Sequence, residues 1–195
     1  QHISPLLSDY SNDIRLNEAL FKRVKAVYDQ RGDLSLTAEQ QTLLEKTYKG
    51  FTRNGANLSL NDKERLREID KQLATLKLKF SENVLAETQH YQWVITDKEQ
   101  LSGLPDFVLD MLAQEAQKCH TQGWAITLDM PVYTAVMKYA DNRDLRQKLF
   151  TDYHSRCAGE SAFSNEANVL RIAELRQARA TLLGYPSYAA FALEE

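Results

Sequence analysis

Apolar and charged positions recur with helical period along most of this chain, and the longest such run spans residues 60–89. Leu66, Ile69, Leu73, Leu76, Phe80 and Val84 follow one another at spacings of three and four, which places them on one stripe of an α-helix. Lys63, Glu64, Arg65, Arg67, Glu68, Asp70, Lys71, Lys77 and Lys79 fill the other faces. Asn61, with Glu64 three residues on, predicts the N-cap. A rod of roughly 40 Å with an apolar seam needs partners. Upstream, Ile14, Leu20, Phe21, Val24, Val27 and Tyr28 predict one helix over 13–30, ended by Arg31-Gly32-Asp33. Thr37 and Gln40 form a capping-box pair, followed by Leu43, Leu44, Thr47, Tyr48 and Phe51 as an inner face and Asn54-Gly55 as the stop. Three helices on short connections predict antiparallel packing.

The period then changes. Trp93-Val94-Ile95-Thr96 and Trp124-Ala125-Ile126-Thr127-Leu128 are aromatic and β-branched, as short strands are. Between them Pro105 opens a helix through Phe107, Val108, Met111, Leu112 and Ala116, and Gly123 closes it. A helical crossover predicts parallel pairing of the strands. Helices resume over 131–139, over 142–156 with Asp141 as N-cap and Leu145, Leu149, Phe150 and Tyr153 inward, and from Ser164 through Val169, Ile172, Leu175, Ala178 and Leu182 to Gly184. Ser187 caps a further helix. The expected fold is all-α, a helical bundle with a long central helix at about 60–89 and a minor two-stranded β element. It divides into a bundle over 1–90, a strand-helix-strand over 91–128 and helices over 129–195.

Composition excludes more than it selects. The 195 residues carry 24 Lys and Arg against 27 Asp and Glu, a net charge of −3, which argues against a nucleic-acid partner. No apolar run approaches the ~20 residues of a membrane span. Two cysteines make no disulfide framework and suit a reducing compartment. Gln1 is not a natural start, and the chain stops shortly after the Ser187 cap, so a piece of a longer polypeptide is expected.

Candidate chemistry is sparse. The histidines are His2, His90, His120 and His154, and no His-Glu-x-x-His helix occurs. Cys119 and His120 are adjacent, so on a helix they diverge and chelate poorly. His154 and Cys157 lie three apart and could form a thiol–imidazole pair, but no orienting third group is identifiable. The ordinary reading of both pairs is structural. Glu82, Glu87, Glu115 and Glu174 read as solvated faces. The clusters Lys22-Arg23-x-Lys25 and Lys77-x-Lys79 read as helix exteriors. Asn57-Leu58-Ser59 is a formal glycosylation sequon of little weight. Trp93, Trp124, Tyr133, Tyr139 and Tyr153 concentrate in the C-terminal half, as core packing by default or as a peptide-contacting wall.

One further signal lies in the wording of the sequence. Gly123-Trp124-Ala125-Ile126-Thr127-Leu128-Asp129-Met130-Pro131-Val132-Tyr133, Tyr139-Ala140-Asp141-Asn142-Arg143-Asp144-Leu145-Arg146, Ile172-Ala173-Glu174-Leu175-Arg176 and Leu182-Leu183-Gly184-Tyr185-x-x-Tyr188-Ala189 resemble the middle of the thimet oligopeptidase family of zinc peptidases. Gly55-Ala56-Asn57-Leu58 and Leu101-Ser102-Gly103-Leu104-Pro105 extend the resemblance upstream. The opening, His2-Ile3-Ser4-Pro5-Leu6-Leu7, is most similar to the bacterial peptidyl-dipeptidase branch. The resemblance implies a large helical enzyme whose two halves enclose a channel for short peptides. It implies a zinc held by a His-Glu-x-x-His helix and a downstream Glu, with the motif Glu as base. None of those residues is present here, so no catalytic, cofactor-binding or metal-ligating residue is assigned to this chain. The expected role is scaffold and channel wall, with the catalytic half of the same polypeptide and short peptides as partners. Cytoplasm is the expected compartment, or periplasm if an export signal precedes Gln1. The rivals are a stand-alone helical interaction module and a cysteine enzyme using Cys157.

Overall fold

The computed structural model describes residues 3–194. Gln1, His2 and Glu195, and with them the His2 position of the opening motif, lie outside the described residues. In chain order the elements are α1 (Ile3–Arg15), α2 (Glu18–Asp29), α3 (Ala38–Arg53), α4 (Leu60–His90), β1 (Trp93–Ile95), a 3-10 turn (Lys98–Leu101), α5 (Asp106–Lys118), β2 (Trp124–Ile126), α6 (Met130–Tyr139), α7 (Arg143–His154), α8 (Glu166–Leu182) and α9 (Tyr188–Ala192). The all-α expectation and the long central helix hold. The chain forms two compact units, Gln1–Lys79 with Asn168–Glu195, and Phe80–Ala167.

The first unit begins differently from the expected single helix over 13–30. That stretch is broken at Leu16-Asn17, and α1 precedes the break. Asn17 is extended, and its side chain accepts a hydrogen bond from the Leu20 N–H at 2.9 Å. A short polar side chain that can bond nearby backbone competes with helix continuation and becomes a cap. Phe21 is buried, whereas Ile14, Leu20 and Val27 of the expected stripe are exposed. Thr37 and Gln40 form the capping box in both directions. On α3 the inner face is made by Leu44, Thr47, Tyr48 and Phe51, while Leu43 is exposed. Tyr48 stacks on Tyr28 with centroids 3.8 Å apart.

At the start of α4 the cap is Ser59, not Asn61. The Ser59 hydroxyl accepts from the Asp62 N–H and donates to the Asp62 carboxylate. Both residues are good cap formers, and the choice falls to the one whose hydroxyl reaches the third helical N–H. Leu66 and Leu73 are buried, Ile69, Leu76 and Val84 half-buried, and Phe80 exposed. Lys63 is itself buried beside Glu18, contrary to its place among the outward charges. Gly55 has φ +91, and a Cβ there would lie 2.7 Å from Leu66, so glycine is required at this stop. On α8 Ile172 and Leu175 point inward, but Val169 and Ala178 are exposed, and Ala180 takes the buried position. Gly184 has φ +86 and ends α8, and Ser187 caps α9 by accepting from the Ala190 N–H.

The second unit is built on one apolar cluster of Ile95, Leu101, Leu104, Val108, Leu112, Ile126, Leu128, Val132, Val136, Ala140, Leu145 and Leu149. β1 and β2 pair in it, but antiparallel, with Trp93 opposite Ile126 and Ile95 opposite Trp124. Parallel pairing follows from a single crossover helix. Here the 3-10 turn and the loop to Pro105 precede α5, which supplies a further change of direction. Gly123 has φ +96, and a Cβ would meet the Ile95 carbonyl at 2.4 Å, so the strands approach only because this residue is glycine. The cap of α7 is Asn142, which accepts from the Asp144 and Leu145 N–H groups, rather than Asp141. Asp141 instead accepts from the Ser102 hydroxyl at 3.1 Å. Phe150 of α7 is exposed rather than inward. The Ser164 hydroxyl accepts from the Glu166 N–H at the start of α8.

Candidate functional site

The first unit contains a cleft of about 410 Å³ lined by α1, α4, α8, α9 and the C-cap of α3. Arg15, Lys77, Arg176 and Arg179 line it together with a single carboxylate, Asp70. Helical spacing explains the convergence: Arg176 and Arg179 are three apart on α8, as are Asp70 and Leu73 on α4, so each pair shares a face. Arg179 donates to Asp70 at 2.8 Å and to the Asn54 side-chain amide oxygen Oδ1 at 3.3 Å. Asn54 also accepts from Arg15 at 3.4 Å. Arg176 lies over the Tyr188 ring, 5.0 Å from its centroid, and its Nε is buried without a hydrogen-bond acceptor. Asn12 is 4% exposed, and its Nδ2 is likewise buried without an acceptor. A positive, donor-rich wall in a chain of net charge −3 has the chemistry to hold an anion.

The sequence candidates fall elsewhere. Cys119 is the C-cap of α5, and His120 follows it in the left-handed conformation at φ 55. His154 packs on Phe150, ring centroids 4.0 Å apart, and its Nδ1 lies 2.9 Å from the Phe150 carbonyl oxygen. Cys157 turns inward, 5% exposed, with its N–H donating to the Glu87 carboxylate at 2.5 Å. Burial, and then the hydrogen bond to Glu87, push the Cys157 thiol up to about 11. A nucleophilic thiolate needs the opposite shift, so this environment lends the cysteine-enzyme rival no support. Glu87 is correspondingly not a plain solvated side chain. Glu115 and Glu174 pair with Lys118 and Arg171 on their own helices. Trp93, Trp124, Tyr133, Tyr139 and Tyr153 pack half-buried against the second unit's core. Lys148 sits 4.7 Å from the Trp93 ring centroid and pairs with Asp152, which also accepts from the Tyr91 hydroxyl. Burial and that hydrogen bond raise the Tyr91 hydroxyl well above its ordinary value.

Among the described residues, no three His, Cys, Asp or Glu side chains come together to hold a metal ion. The zinc implied by the resemblance therefore finds no fitting ligand set in residues 3–194. No helix of the described residues is long and apolar enough to cross a membrane. The cleft was not legible in sequence, because its wall comes from five separated segments. The one local signal was the pair Arg176 and Arg179, three apart on the same helix as the inward Ile172 and Leu175.

Residues 136–195 match the sequence family described as Peptidase family M3. The chain is 37% identical over 185 residues to "Probable cytosolic oligopeptidase A" of Arabidopsis thaliana, a match covering 90% of this chain and 26% of that protein. It is 30% identical over 189 residues to "Oligopeptidase A" of Escherichia coli, covering 95% of this chain and 28% of the relative. It is 32% identical over 196 residues to "Dipeptidyl carboxypeptidase" of Escherichia coli, covering 100% of this chain and 29% of the relative. The chain thus spans under a third of the length of these relatives.

Proposed function

This chain is related to peptidase family M3, and from that relationship we propose that it is a helical, non-catalytic part of a metallopeptidase that hydrolyses short peptides. The observation that carries the reading is similarity along 90–100% of the chain to oligopeptidase A and dipeptidyl carboxypeptidase. Its role in this reading is scaffold and channel wall, limiting substrate size. The zinc and the general base of the whole enzyme lie outside residues 3–194. Support comes from α1, whose Ile3, Leu6, Leu7 and Tyr10 recur at helical spacing and are all more than 60% exposed. A contiguous apolar stripe of that kind marks a surface that other polypeptide covers, and here the further part of the same enzyme is that polypeptide. Cytosol is the compartment assigned, consistent with the free thiols of Cys119 and Cys157, with the periplasm as the alternative.

The test is an assay of the 195-residue chain on short peptides with added zinc, beside a longer polypeptide that includes a His-Glu-x-x-His helix. The expected result is zinc-dependent hydrolysis by the longer polypeptide and none by the chain alone. Metal-dependent turnover by the chain itself overturns the division of labour.

A further inference from the structure

We propose that the cleft lined by Asn12, Arg15 and Arg176 binds a small oxyanion, a phosphate or carboxylate group, independently of any peptide hydrolysis. Three observations meet there. First, Asn12 Nδ2 and Arg176 Nε are buried donors with no acceptor. An unsatisfied buried donor is destabilising, and more so when charged. Both lack the same thing, an acceptor, and an oxyanion is made of acceptors.

Second, the charges are unbalanced. Asp70 is engaged by Arg179 at 2.8 Å. That leaves Arg15, whose only described partner is the neutral Asn54, and Arg176, which faces the Tyr188 ring, without a carboxylate. A guanidinium presents a planar fork suited to carboxylate or phosphate oxygens. Third, there is room. A volume of about 410 Å³ lies within the range of small-molecule sites. Asn12 is held there by its position on the inner face of α1, where it is the buried residue of that helix. An entering acceptor satisfies both orphaned donors once these two side chains turn toward it.

The experiment titrates inorganic phosphate, and in a parallel arm citrate, into the intact chain at constant ionic strength held with sodium chloride. The expected result is a saturable rise in melting temperature with one or both anions, about 5 °C at a hundredfold excess over Kd. The Asn12 side-chain amide and Arg176 Nε–H resonances shift along the same binding curve. Which arm responds identifies the source of the oxyanion. Asn12→Leu and Arg176→Met each weaken binding at least tenfold, while Lys25→Met, on α2, leaves it unchanged. Asn12→Asp supplies an internal carboxylate, so it raises the melting temperature without anion and abolishes the response. If neither anion gives a saturable response at those resonances in the unmutated chain, the proposal is overturned, whatever the variants do. Unchanged affinity in a folded Arg176→Met chain overturns it as well.

Discussion

In residues 80–167, twelve buried apolar side chains form one cluster, whereas the other unit holds a cluster of three, Leu73, Ile172 and Leu175. The difference is in what each unit does with its helices. Around β1 and β2, α5, α6 and α7 each turn an apolar face toward the same core, and Val108, Leu112, Ile126, Val136 and Leu149 are fully buried. The first unit places a polar cleft beside its small cluster and leaves the stripe of α1 exposed. Helical periodicity therefore reports that a face is apolar, not that it is covered. Coverage depends on whether the same polypeptide stretch supplies a partner.

The strongest way to break this contrast is to cut a methyl cluster out of each core. Leu112→Ala empties a sealed site at 0% exposure and is expected to cost about 3–4 kcal/mol. Leu73→Ala borders the cleft, where the wall can relax and water can enter, so about 2 kcal/mol is expected. Trp93 and Trp124 are the two tryptophans of the chain, and both lie in the second unit. Urea unfolding followed by tryptophan emission reports the Leu112 loss, and residue-resolved hydrogen exchange reports the Leu73 loss. Equal costs at the two sites would show that the cleft does not soften the first unit's core.

Helix caps sharpen the comparison at a smaller scale. Asn17 and Asn142 cap α2 and α7 with the same chemistry, one in each unit. Asn142→Ala and Asn17→Ala are each expected to cost about 1 kcal/mol. Unlike core truncation, the effect is local and does not depend on the size of the core behind it. Hydrogen exchange of the first-turn amides Leu20 and Leu145 checks this. A cap loss confined to one unit would tie capping to tertiary support.

The caps also show what was legible in the sequence. Thr37 with Gln40, Gly55, Gly184 and Ser187 act within four residues of themselves, and the structure uses each as the pattern indicates. Where two cap formers stand close together, the pattern slips by one or two positions: Ser59 takes the role expected of Asn61, and Asn142 that of Asp141. The break at Asn17 was hidden because Ile14 and Leu20 continue a helical stripe across it. Strand direction was misread because it depends on the path of residues 96–123, not on their propensities. The cleft depends on residues from 8 to 191, a convergence no local pattern encodes. Sequence wording, by contrast, carried the family relationship, because it compares whole stretches and needs no contact.

The smallest expected effect is a difference in alkaline sensitivity. In the second unit the Cys157 thiol is raised from 9.0 to about 11 by burial and by Glu87, and the Tyr91 hydroxyl is raised by burial and by Asp152. Each group is neutral in its protonated form, and each loses its proton more readily in the unfolded chain. The stability that Cys157 contributes is therefore complete below pH 9 and is lost as pH climbs toward 11, with Tyr91 extending the loss from about pH 10 upward. In the first unit Lys25 is raised, held up by the Asp29 carboxylate on an exposed helix face, where solvent screens the pair. The tryptophan-detected urea midpoint is thus expected to fall between pH 8 and pH 10.5, and Cys157→Ala to remove part of that fall. Hydrogen exchange referenced to its intrinsic pH dependence should show little change in opening free energy for the first unit over the same range. A Cys157→Ala chain with the full alkaline loss would assign the effect to Tyr91 and its Asp152 bond instead, and Tyr91→Phe would then abolish it.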